Sequence, residues 1–102
     1  MANAKNEFLL HVKGKYLKCA LIEYNSDFYG KGKTYSLPVN YTDEQYYAFL
    51  NSLDFNYDSG YGLQELYGNI WYDDGTWSDR YEYDGAESWD YHNCPPIPNS
   101  LR

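Results

Sequence analysis

Basic residues are scarce in the second half of this chain. Residues 52–102 hold ten acids against Arg80 and Arg102, a net −8, and Arg80 is the only base within 54–90. Residues 1–51 carry six Lys against Glu7, Glu23, Asp27, Asp43 and Glu44, a net +1. Phosphate contacts dominate nucleic-acid affinity, so the acidic half is a poor nucleic-acid binder. Long apolar runs are lacking too: nothing here reads as a membrane span, and the opening Met1–Asn6 has no apolar stretch of a secretory signal. The expected location is the cytoplasm. Cysteine is limited to Cys19 and Cys94. Cys19, among Leu and Ala, reads as a buried free thiol, and a Cys19–Cys94 disulfide is disfavoured in a reducing compartment.

Aliphatic residues are also few. Leu, Ile, Val and Phe number 19 of 102, just under the level of about one-fifth at which charged chains tend to stay disordered. Fourteen Tyr and three Trp reverse that expectation. Aromatic side chains bury large areas and are depleted in disordered chains. The expectation is one folded domain over 1–102, with ring faces in its core, a flexible lead at 1–7 and an extended Pro-rich tail at 94–102.

The expected fold class is α+β: an antiparallel sheet, made of an N-terminal β-hairpin and a C-terminal β-meander, with one amphipathic helix packed across it. The hairpin rests on two apolar runs, Phe8–Lys13 and Tyr16–Tyr24, around Gly14-Lys15. Its register would pair Val12 with Leu17, Leu10 with Cys19 and Phe8 with Leu21, leaving His11, Lys13, Tyr16 and Lys18 on a basic face. Thr34–Leu37 can add a short strand before Pro38. The helix starts at Thr42. Thr42 with Gln45 forms a capping box, Tyr41 and Tyr46 a hydrophobic staple, and Tyr46, Phe49, Leu50 and Leu53 an apolar stripe. Leu63–Tyr67 could add one short helical turn. Asp-Asp-Gly at 73–75 and Asp-Gly at 84–85 are hairpin turn chemistry, so strands near 69–72, 76–83 and 87–92 are expected.

Sites of chemistry are weakly represented. Gly30-Lys31-Gly32-Lys33 lacks the spacing of a phosphate-binding loop. Aspartates at 73, 74, 79, 84 and 90 offer the carboxylate pairs a glycosidase needs, but several sit in turns and the chain is short for a deep cleft. His92 and Cys94 supply two metal ligands with no second pair, so neither metal nor cofactor is expected. No nucleophile motif is present, and an enzyme is not expected. Trp71-Tyr72-Asp73-Asp74-Gly75-Thr76-Trp77 faintly resembles the aromatic hairpins of cell-wall-binding repeats, which supports an alternative: a small carbohydrate- or peptide-binding module using exposed Trp and Tyr.

Asp54, Asp58, Asp73, Asp74, Asp79, Glu82, Asp84, Glu87 and Asp90 are interleaved with Tyr and Trp. In size, charge and aromatic loading the whole chain resembles the small acidic phage-encoded inhibitors of bacterial defence, of anti-CRISPR and anti-restriction type. The resemblance is one of general character, without a shared motif. It implies a non-enzymatic viral inhibitor in the host cytoplasm, a possible DNA mimic binding a protein partner with a basic surface, such as a nuclease or nucleoprotein effector. The residues expected to bind that partner are Asp73, Asp74, Trp77, Asp79, Tyr81, Glu82, Asp84, Glu87 and Asp90. Aromatic rings would supply hot-spot contacts and the carboxylates electrostatic steering.

Overall fold

Ala4, Phe8 and Val12 recur every four residues, and that spacing forms a helix. A computed structural model describes residues 2–25, 32–57, 64–83, 86–93 and 100. Strand β1 (Ala2–Asn3) leads into helix α1 (Ala4–Val12), whose buried residues are Ala4, Phe8 and Val12. Asn3 caps it, its side chain accepting from the Asn6 backbone N–H at 3.0 Å. The expected N-terminal hairpin is therefore corrected: 8–13 is helical, and the Val12–Leu17, Leu10–Cys19 and Phe8–Leu21 pairs do not form. The glycine signal marked a real reversal of another kind. Gly14 takes φ of 80°, and Lys15 N donates to Val12 O at 2.9 Å, a turn that passes from helix into strand. The basic hairpin face dissolves with the hairpin. His11 lies on α1, and only Leu10, at 75% exposure, is left as an apolar residue outside the packed stripe of the helix.

The chain continues through β2 (Leu17–Tyr24), β3 (Lys33–Leu37), α2 (Asp43–Ser52), β4 (Asn56–Tyr57), β5 (Leu66–Tyr72), β6 (Trp77–Tyr83) and β7 (Ala86–His92). The main sheet is antiparallel with order β3-β2-β5-β6-β7, and β1 pairs with β4 in a second, two-stranded sheet. The α+β class, the helix from Thr42, the strand ending at Leu37 and the meander all hold. Leu66–Tyr67 opens β5 instead of forming a helical turn. Residues 2–7, expected as a flexible lead, belong to the framework: Ala2 pairs with Tyr57, Asn3 with Asn56, and Ala4 N donates to Phe55 O at 2.9 Å. The Pro-rich stretch at 94–99 lies outside the described residues.

Thr42 and Gln45 make the reciprocal capping box, at 2.8 and 3.2 Å, and the Tyr41 and Tyr46 rings stack at 5.7 Å. Alternation along the strands then sorts the sheet into two faces. Ala20, Ile22, Leu37, Leu66, Ile70, Tyr72 and Trp89 point to one face and form the core with Phe8 and Val12 of α1 and Phe49 and Leu50 of α2. Phe8 meets Phe49 and Trp89 edge-on at 5.4 and 6.5 Å. Both helices thus bury their apolar stripes on the same side. Among the described residues, no helix is long and apolar enough to cross a membrane.

Candidate functional site

The covered face explains where residues 54–90 keep their only base. The Arg80 side chain is 1% exposed, and its guanidinium donates to Glu7 Oε1 on α1, to Tyr57 Oη at 2.8 Å and to Glu87 Oε1 at 3.1 Å. It lies 5.0 Å over the Trp89 ring. Burial pulls its pKa down, but Glu7 and Tyr57 beside it outweigh that and the net direction is upward. Burial first, then the hydrogen bond to Glu7, pushes the Tyr57 hydroxyl well above its usual range. Glu87 also caps the start of β5, accepting from Glu65 N at 2.8 Å and Leu66 N at 3.1 Å. One helical turn along α1 from Glu7, His11 bonds Ser78 Oγ at 2.8 Å, and Ser78 bonds Tyr72 Oη at 2.8 Å. The polar row of α1, Glu7 and His11, therefore meets the polar row of β6, Arg80 and Ser78.

That network removes one expected partner-binding residue. Glu87 is 7% exposed and its side chain 1%, so it is a correction: alternation on β7 turns it inward, and Arg80 with two backbone amides consumes its oxygens. Glu82 shares the strand parity of Ser78 and Arg80, so it does not point to the opposite face, though it is exposed. Asp73 and Asp74 lie in the β5–β6 turn. Asp74 accepts from Thr76 N at 3.0 Å and from its hydroxyl, and the Thr76 hydroxyl chiefly holds its carboxyl below the usual range. Asp74 is thus a turn-former first. Asp84 lies outside the described residues.

The other four, Trp77, Asp79, Tyr81 and Asp90, do share the opposite face, which no helix covers among the described residues and which is called the uncovered face below. The registers set that face in transverse rows. One row runs Cys19, Trp71, Trp77, His92. The next runs Ser36, Leu21, Asn69, Asp79, Asp90. Tyr67, beside Glu23, and Tyr81, opposite Ser88, lie beyond it. Two carboxylates thus sit between a tryptophan row and a pair of tyrosines. Leu21, Tyr67, Trp71 and Tyr81 are exposed at 40, 44, 39 and 48%. The His92 ring stacks on Trp77 at 4.3 Å, and its Nε2 lies 2.8 Å from Asp79 Oδ1 and 3.4 Å from Asp90 Oδ2. Leu21, Tyr67, Trp71 and His92 were missing from the expected set. Alternation at odd positions through 67–71 and 77–81, with the Asp-Asp-Gly turn between, is the signal that would have found Tyr67 and Trp71.

At the end of the tryptophan row a groove of about 300 Å³ is lined by Lys18, Cys19, Trp71, Tyr72, Gly75 and Thr76. Cys19 is a free, half-buried thiol whose pKa is raised mainly by burial, so it carries little thiolate for chemistry.

Among the described residues, fold and face together define a class: a five-stranded antiparallel sheet with two helices on one side and an aromatic and acidic surface on the other. Comparison with protein-family models, with curated proteins and with solved structures found no match to this chain.

Proposed function

We propose that this chain is a non-enzymatic binding protein that docks the uncovered sheet face onto a basic protein surface. The observation that carries the reading is the placement of Asp79 and Asp90 between Trp71 and Trp77 on one side and Tyr67 and Tyr81 on the other. A Lys or Arg side chain entering that row meets carboxylates at its charged end and ring faces along its flanks, contacts that reinforce one another once water is displaced. Tyr and Trp displayed on a sheet face favour a protein contact, where rigid aromatic anchors carry much of the energy. The net −8 of residues 52–102 adds steering towards a cationic target.

In its specific form the reading is an inhibitor seated in the basic nucleic-acid groove of a bacterial defence nuclease complex. The buried Glu87 and the turn role of Asp74 shift the weight from phosphate-backbone imitation to the aromatic and acidic rows. The groove beside Trp71 favours a second reading, a small-ligand module for a carbohydrate or peptide, because its size is near the lower end of ligand pockets.

The test is capture of nuclease complexes from bacterial lysate followed by nuclease assays, with wild type, Asp73→Lys, and the double variant Trp77→Ala with Tyr81→Ala. Capture and inhibition that fall steeply with salt, and that the aromatic variant loses, support the docking reading. Inhibition unchanged by salt and by the aromatic variant sinks it. Glycan binding lost on Trp71→Ala would move the function to the second reading.

A further inference from the structure

We propose that Asp79, Asp90 and His92 form a binding site for one divalent transition-metal ion on the uncovered face. The inference goes beyond the docking reading and shares two residues with it: an ion held by Asp79 and Asp90 neutralises the carboxylates that the docking reading offers to a Lys or Arg. The three residues come from two adjacent strands. Asp79 on β6 stands directly opposite Asp90 on β7, and His92 follows Asp90 by two residues on the same face. Their ligand atoms, one imidazole nitrogen and one oxygen from each carboxylate, all lie within 4.8 Å of one another. His92 Nε2 is already 2.8 and 3.4 Å from the two carboxylate oxygens. Ligands bonded at about 2.0–2.2 Å to a shared ion stand at comparable spacings around it.

Three physical features favour a cation there. Two carboxylates directly opposed across antiparallel strands repel, and a divalent ion removes that repulsion. The imidazole is presented edge-on to the carboxylates because its face is held against Trp77, at 4.3 Å and 26° between planes, so its orientation is set before any ion arrives. The side chains remain 34, 38 and 52% exposed for His92, Asp79 and Asp90, which leaves coordination positions for water. The donor set also selects the ion. Calcium and magnesium prefer all-oxygen sites, whereas a mixed imidazole and carboxylate set suits zinc, cobalt or manganese.

A simpler reading is a His92–Asp79 ion pair that needs no metal, and experiment separates the two. The full chain, without a polyhistidine tag, is titrated calorimetrically with Zn²⁺ and followed by tryptophan fluorescence and visible absorption with Co²⁺. The expected result is one ion per chain, bound more tightly than Mg²⁺ or Ca²⁺, with Trp77 emission quenched by Co²⁺. Affinity should fall about 10-fold or more in each of Asp79→Asn, Asp90→Asn and His92→Gln, with circular dichroism confirming that each folds. Cys94→Ser should bind as wild type does. Absence of saturable Zn²⁺ and Co²⁺ binding overturns the site. Equal affinity in the three variants, loss in Cys94→Ser, or a cobalt–thiolate charge-transfer band in wild type overturns it as well. The wild-type cobalt spectrum decides the matter should a variant fail to fold.

Discussion

Asp79 and Arg80 are neighbours in the chain and face opposite worlds. Arg80 points beneath α1 into a network of Glu7, Tyr57 and Glu87, with its side chain 1% exposed. Asp79 points away from both helices, among Trp77, Asp90 and His92. The covered face spends its polar groups on one another, locking a helix to a strand. The uncovered face leaves rings and carboxylates in contact with solvent. Polar residues on the first face therefore bear on stability, and those on the second are the ones the proposed docking would use.

The comparison breaks or sharpens most clearly at those two positions. Arg80→Ala leaves the buried Glu87 carboxylate and the half-buried Glu7 carboxylate without their cation, and the expected loss is about 3–5 kcal/mol by denaturant unfolding. Asp79→Ala should shift stability by no more than about 0.5 kcal/mol. Equal losses at the two sites would erase the distinction between the faces.

A smaller effect is expected where the two faces share a backbone. Gly68 pairs with Ile22, and a β-carbon there would come within 2.5 Å of the Leu21 carbonyl oxygen and 3.0 Å of the Ile22 Cα. Gly68→Ala should cost about 1–3 kcal/mol and loosen β2 from β5, readable as faster amide exchange in both strands.

The smallest is a pH effect confined to the covered face. Burial, then Lys15 and Arg80, lower the His11 pKa from 6.5, against weaker upward pulls from Asp90 and Glu7. The unfolded chain therefore binds more protons at His11 than the folded chain below that value, so its contribution to stability is present above 6.5 and lost as pH falls. Unfolding at stepped pH should show a shallower acid slope for His11→Gln than for wild type. An identical slope would show that His11 does not contribute.

Much of the fold was legible because local chemistry and tertiary structure agreed. Thr42 and Gln45 cap α2 as their spacing predicts, Tyr41 stacks on Tyr46, and Asp73-Asp74-Gly75 closes the hairpin it names. The N-terminus was misread because Phe8, Leu10 and Val12 alternate while Ala4, Phe8 and Val12 also recur at helical spacing. Short apolar runs satisfy both periods. The helix buries Phe8 and Val12 while carrying Glu7 and His11 to β6, contacts with residues about seventy positions away that no local window contains. The site was half legible for a related reason. Acid count pointed to residues 71–91, yet Glu87 and Asp90, three apart in one strand, end on opposite faces.

The sequence alone therefore determined the α+β class, the central capped helix, the meander and the concentration of acid and aromatic residues in the second half. Those follow from capping, turn chemistry and composition, which act over a few residues. Only the tertiary structure decided that α1 is a helix and that Arg80 and Glu87 are interior. It also decided that Trp71, Trp77, Asp79, Asp90 and His92 stand together on an uncovered face. Strand pairing and the choice of which face the helices cover are long-range outcomes, set by where buried apolar area and paired charge are satisfied at once.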